Sequence, residues 1–128
     1  MARIPESHRD LLQAPVAVLA THGTSGYPHV SALWFVYDGN NIEISLNTTR
    51  QKTKNLFHQP ECTLFILDPN NPYRTMEIRA RAQLEPDTEG KVIAKVQEKY
   101  GANVRDLDKP GEERVLVRLH PVRVNTYG

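Results

Sequence analysis

The sequence predicts a mainly β protein, six strands in an antiparallel closed or half-closed barrel with two or three short helices between them. Three observations predict it. Strand-length apolar runs dominate the chain. Most of them are joined by tight turns, which favours antiparallel pairing. The segment from Tyr73 to Leu84 alternates cleanly, with Met76, Ile78, Ala80, Ala82 and Leu84 on one face and Glu77, Arg79, Arg81 and Gln83 on the other. With 128 residues, positions 1–128 suffice for one domain around one core.

The elements follow in order. Ile4 to Leu12 reads as a short helix, with Pro5 in its first turn and Pro15 beyond its end. Val16 to Thr21 is a continuous apolar run, as expected of a strand buried on both faces. Gly23-Thr24-Ser25-Gly26 is a turn, and Pro28 to Tyr37 a long β-rich segment. Asp38-Gly39-Asn40-Asn41 is a hairpin turn. Ile42, Ile44 and Leu46 alternate with Glu43 and Ser45, the pattern of a half-buried strand. A helix follows over about Arg50 to His58, its inward stripe formed by Thr53, Leu56 and Phe57, and Pro60 stops it.

Cys62 to Leu67 is another strand that reads as buried on both sides, and Asp68 to Pro72 turns the chain. After Leu84, Asp87 or Thr88 caps a helix with apolar positions Val92, Ile93, Val96 and Tyr100, closed by Gly101. Ala102 to Gly111 is a polar loop. Arg114 to Tyr127 is a last long strand, and Pro121 within it implies a bend or an edge. The limited interior of so small a barrel directs a bulky ligand to a surface groove completed by a second subunit. Dimerisation would also cover the apolar outer faces.

Composition removes several function classes. Sixteen basic residues against fifteen acidic leave a net charge of +1, without the footprint of a nucleic-acid binder. No run of about 18 apolar residues suggests a membrane span, and the N-terminus lacks an apolar signal core. The one cysteine, Cys62, has no partner for an internal disulfide, so a reduced, cytoplasmic setting is expected. The five histidines are scattered and no Cys-x-x-Cys occurs, so a metal site is not expected. Gly-x-Ser-x-Gly, Gly-x-Gly-x-x-Gly and P-loop patterns are absent.

The chemistry that remains is concentrated in Thr48-Thr49-Arg50-Gln51-Lys52, at the N-terminus of the first central helix. Free backbone N–H groups and the positive end of the helix dipole favour an anion there. Arginine's planar fork and lysine's point charge suit a phosphate. The competing reading is a solvated basic face, which is how Lys54 reads. In Pro28-His29-Val30-Ser31-Ala32, small residues would let a flat ring approach the backbone, and Trp34 and Phe35 can wall a pocket or belong to the core. His29 reads as a surface histidine. Asn70-Asn71-Pro72-Tyr73-Arg74, taken alone, reads as a hairpin end with a solvated arginine. A phosphate site without evident catalytic side chains fits a protein whose cofactor supplies the chemistry.

These residues, in this order, resemble the split β-barrel proteins of the pyridoxamine 5′-phosphate oxidase-like superfamily of flavin and deazaflavin oxidoreductases. The matching pieces are Val16 to Thr21, Gly26 to Ser31, Trp34-Phe35, Thr49 to Leu56, Pro72-Tyr73-Arg74, Glu77-Ile78-Arg79 and Ala82. The Arg-x-Lys-x-x-Asn-Leu helix and the Pro-Tyr-Arg turn look most like the members that use coenzyme F420, a 5-deazaflavin. Ala80 departs from the glycine common there.

The resemblance implies a six-stranded split barrel of the FMN-binding type, a homodimer, and two cofactor sites at the subunit interface. It implies phosphate contacts from Thr49, Arg50 and Lys52, and a deazaflavin ring along Pro28, His29, Val30, Ser31 and Ala32. Leu46, Asn47 and Thr48 would lie near the ribityl chain, and Tyr73 and Arg74 would arrive from the second subunit as candidate proton donors. An F420H2-dependent reductase of a conjugated small molecule is expected. FMN chemistry of the pyridoxamine-phosphate oxidase type and a non-catalytic cofactor-binding protein are the alternatives.

Overall fold

A computed structural model describes residues 2–128. Seven strands form one sheet: β1 (Ala17–His22), β2 (Pro28–Leu33), β3 (Val36–Tyr37), β4 (Ile42–Asn47), β5 (Glu61–Asp68), β6 (Asn71–Pro86) and β7 (Arg114–Tyr127). Two α-helices interrupt them, α1 (Gln51–His58) and α2 (Lys91–Tyr100), with 3-10 segments at Glu6–Gln13 and Val104–Leu107. Every pairing is antiparallel, in the order β2-β1-β5-β6-β7-β4-β3. The expected Ile4–Leu12 helix is thus a 3-10 segment displaced by one or two residues.

The strand count exceeds the expected six because Pro28 to Tyr37 is two strands, broken at Trp34-Phe35. That break shapes the molecule. β2 and β3 are the two outer strands of the sheet, yet only Trp34 and Phe35 separate them in sequence. Six interstrand spacings would place the edges about 29 Å apart in a flat sheet. The link from Leu33 to Val36 reaches no more than about 11 Å. The sheet therefore curls until its edges meet, as a half-barrel.

The inward faces fill this barrel. Leu19, Phe35, Ile44, Leu64, Ile66 and Met76 are fully buried. The N-terminal 3-10 segment plugs one end with Leu11 and Leu12. At the other end α1 carries the chain from β4, beside β7, across to β5, beside β1. Pro121 marks both a bend and an edge: the β6–β7 register shifts there, and β4 pairs with β7 only as far as Leu119.

A second cluster lies outside the barrel. Val92, Ile93 and Val96 of α2 pack on Val36 and Leu116. Asp87 caps α2 by accepting from the amides of Lys91, Val92 and Ile93. Because α2 covers this face, Glu43 is not at the half-exposed position its alternation implies but 1% exposed. Its carboxylate accepts from Lys95 at 2.5 Å and from Arg118 at 2.8 Å. A buried carboxylate persists only with such partners.

Two other expectations need correction. Phe57 is 59% exposed, and Asn55 takes its place in the buried stripe of α1, donating to Thr21 Oγ1 at 3.1 Å and accepting from Gln51. Val16 to Thr21 and Cys62 to Leu67 are buried on one face only, with Val16 and Leu67 exposed. Their outward side chains Val18, Ala20, Thr63 and Phe65 are only half-buried by the described residues. No described helix is long and apolar enough to cross a membrane.

Glu43→Ala should destabilise the fold by about 1.5–3 kcal/mol, since it removes a buried carboxylate's charge-assisted bonds to Lys95 and Arg118 and leaves a void beneath α2. Lys95→Ala, at a half-exposed partner, should cost less than about 1 kcal/mol. Urea denaturation of the two variants checks the order.

Candidate functional site

The barrel is split where its edges meet. β3 pairs with β4 only at Ile42 and Glu43, so the rest of β4 has an open edge facing β2. Between them lies a groove of about 370 Å³. Ala32 and Leu33 of β2 form one bank, and Leu46 and Asn47 of β4 the other. Arg50 and Lys52 close it from α1, and Trp34, Leu107 and Arg114 complete it.

Local chemistry puts the cations there. Asn47 ends β4 and organises the turn into α1: its Oδ1 accepts from the Thr49 amide at 2.8 Å and the Thr49 hydroxyl at 2.7 Å. Its carbonyl accepts from Thr53 Oγ1 at 2.7 Å. Arg50 is the N-cap residue but gives no side-chain cap, so its guanidinium is free to face outward. The first-turn amides of Gln51 and Lys52 have no intrahelical partner. Thr48 is half-buried and Thr49 exposed beside them.

Lys52 is half-buried, and Nζ donates to Ser31 Oγ at 3.0 Å, tying α1 to the edge strand. Burial first, and the nearby Arg50 second, lower its pKa below the ordinary lysine value. Neither Arg50 nor Lys52 is in an ion pair among the described residues. Two neighbouring cations without a carboxylate, at a helix N-terminus, are an arrangement that an anion relieves.

The residues expected along a ring divide. In β2, Pro28, Val30 and Ala32 face outward, whereas His29 and Ser31 face inward across from Thr21 and Leu19. Ala32 lines the groove, but Pro28 lines a different hollow, with Cys62 and Arg79. His29 is half-buried rather than on the surface, and its Nδ1 is enclosed without a partner. Trp34 walls the groove at 40% exposure, while Phe35 is core.

Tyr73 and Arg74 do not line the groove within one chain. They are at the start of β6, where Arg74 bonds to Ser7 and Asp10 of the N-terminal 3-10 segment. Arg74 is engaged rather than solvated: it donates to Asp10 at 2.5 Å, to Asp68 at 3.1 Å and to the Ser7 carbonyl. Its hydrogen bond to Asp10, above all, raises its pKa further. Tyr73 is 77% exposed. Among the described residues no three potential metal ligands cluster.

Sequence reasoning missed the loop before β7. Arg114 and Asp108 form an ion pair at 2.7 Å with side chains 7% and 9% exposed. Asn47 Nδ2 donates to Asp108 at 2.8 Å, and Arg114 donates to the Val104 carbonyl. Arg114, then burial and Asn47, set the Asp108 pKa, with a net lowering. This knot joins the polar loop to the turn that carries Arg50. The one available sequence signal was Asp108 and Arg114 six residues apart around Gly111.

No curated protein matches the chain. Among solved structures it is similar to one described as an F420 reductase, with 31% identity, a TM-score of 0.81, and 95% of this chain and 98% of that one covered. A conserved hypothetical protein of Mycobacterium tuberculosis is 23% identical over 98% of this chain and 85% of its own, with a TM-score of 0.79. The heme storage protein HutZ of Vibrio cholerae is 22% identical over 99% of this chain and 96% of its own, with a TM-score of 0.78. These last two share the fold. Residues 4–128 match the family model described as pyridoxamine 5′-phosphate oxidase. The curled antiparallel sheet, its groove at the split and this match together place the chain in the pyridoxamine 5′-phosphate oxidase-like split-barrel superfamily, a family of flavin and deazaflavin oxidoreductase type.

Proposed function

We propose that this protein is an F420H2-dependent reductase of a conjugated small molecule such as an enone, a quinone or a tetrapyrrole. The observation that carries the reading is the Arg50–Lys52 couple at the head of α1, without a carboxylate partner among the described residues and opening on the groove. It fits the phosphate of a flavin-type cofactor. The choice of the deazaflavin over FMN rests on the 31% identity to an F420 reductase.

Arg50 and Lys52, with Thr49 and the first amides of α1, would hold the phosphate. Asn47 fixes the turn that presents them. Ala32 and the open edges of β2 and β4 would border the ring, and Leu46 and Thr48 the ribityl chain. When bound, reduced F420 supplies a hydride to the acceptor. Lys52 carries its charge into a half-buried position, where the anion it binds is screened less by water.

We further propose a homodimer, in which a second copy covers the outer faces of β1 and β5 around Val16 and Leu67. Tyr73 from that copy is then the freer of the two proton-donor candidates, since Arg74 is held by Asp10 and Asp68. A cytoplasmic setting, proposed with the homodimer, rests on the single cysteine, Cys62, which is a free buried thiol.

Fluorescence titration with F420, and FMN in parallel, tests the reading. Arg50→Ala and Lys52→Ala should each weaken F420 binding by about 1.5–3 kcal/mol. Preference for FMN would move the protein to oxidase-type chemistry, and unchanged affinity in both variants would sink the phosphate assignment. Cofactor binding without turnover of any activated alkene or quinone would favour a carrier.

Alkaline pH gives a second check. The free protein's Lys52 pKa lies below 10.5, and a bound anion must raise it. Affinity should therefore hold at neutral pH and fall as pH rises through the free-state pKa. In Lys52→Arg that fall should vanish, because arginine keeps its charge.

A further inference from the structure

The groove has two chemically different kinds of lining. Arg50 and Lys52 supply charge, whereas Trp34 and Leu107 present large apolar side chains. Trp34 is 40% and Leu107 69% exposed. Single exposed apolar side chains need no explanation, but two lining one groove form a patch that water covers poorly.

Neither is loosely placed. Trp34 stacks on Tyr100 with ring centroids 4.4 Å apart and planes 6° from parallel. The Tyr100 hydroxyl accepts from the Phe35 amide at 3.2 Å and donates to the Pro15 carbonyl at 2.8 Å, fixing the residue next to Trp34. Leu107 ends the 3-10 turn Val104–Leu107, where residues three apart lie one above the other. Val104 is buried against the α2 cluster, and Leu107 continues that apolar column into the groove. The next residue, Asp108, is pinned by Arg114 and Asn47. Asn47 also sets the turn that carries Arg50, so one knot holds the charged and the apolar lining in register.

We infer that Leu107 is a specificity-determining residue, which with Trp34 forms an apolar wall for a flat, uncharged, conjugated acceptor. This deepens the reductase reading and rests on it. Cofactor and acceptor are thereby sorted by charge: the anionic end of the one goes to Arg50 and Lys52, and the uncharged plane of the other to Leu107 and Trp34. Arg114 also lines the groove but is matched by Asp108, so an acceptor bearing a carboxylate against Leu107 and Trp34 would leave its charge on apolar surface and bind poorly.

Trp34 is the chain's single tryptophan, so its emission reports this wall directly. The test is quenching by menadione, corrected for its absorbance, with and without bound F420, beside the F420 titration itself. Saturable quenching is expected. Leu107→Ala should raise the menadione Kd about five- to tenfold while leaving F420 affinity unchanged, and Leu107→Met should restore it. Leu107 is exposed, so none of these variants threatens the fold. Linear, unsaturable quenching would overturn the inference, as would an unchanged menadione Kd in Leu107→Ala or an equal loss of F420 affinity. Failure of F420 to bind would overturn the cofactor reading instead, and quenching of the free protein would still decide Leu107.

Discussion

Two residues, Trp34 and Phe35, join the opposite edges of a seven-stranded sheet, and the rest of the structure depends on that short link. A chain that must pass from one edge to the other in so few steps forces the sheet to curl. The link is secured accordingly. Phe35 is fully buried, and its carbonyl accepts from Lys99 Nζ at 2.9 Å, a lysine whose pKa burial lowers to about 8. Lys99 also lies 4.1 Å from the Phe35 ring centroid, and Tyr100 stacks on Trp34. The outer helix α2 thus holds the seam of the barrel as well as covering one face.

The same constraint creates the site. β3 is two residues long and pairs with only the first part of β4, so curling brings β2 opposite an unpaired stretch of β4. A longer β3 would extend that pairing along β4. An open edge of this kind invites pairing with other chains unless something blocks it. Here α1 and the 3-10 turn at Val104–Leu107 stand over the gap, and both contribute side chains to it.

Charge is distributed unevenly over this frame. The buried charges are satisfied: Glu43 meets Lys95 and Arg118, Arg114 meets Asp108, and Asp87 accepts from the first amides of α2. Such pairs fix geometry because a missing partner is costly. Arg50 and Lys52 break the pattern, side by side without a carboxylate, one of them half-buried. Local rules are commonly violated at functional sites, where the ligand completes what the chain leaves open. The Asp108–Arg114 pair, through Asn47, supports the turn that carries this exception.

What the sequence determined by itself is what short-range chemistry dictates. Alternation gave the inward face of β6, Asp87 and Gly101 gave the limits of α2, Pro121 gave the bend in β7, and the Arg50–Lys52 cluster was visible beside a helix start. Tertiary structure decided what depends on partners distant along the chain. Glu43 reads as a solvent-facing residue until α2 brings Lys95 to it, and Asn55 displaces Phe57 from the interior because Thr21 satisfies its amide. Pro28 and Ala32 face the same way but lie about 13 Å apart along β2, opposite His22 and Val18, and so fall in different hollows. Leu107 lines the groove in a loop tied to Asn47, sixty residues away. Periodicity records how a segment meets its own neighbours along the chain. It does not record which segments the closing of a barrel brings together, and the groove is made by that closure.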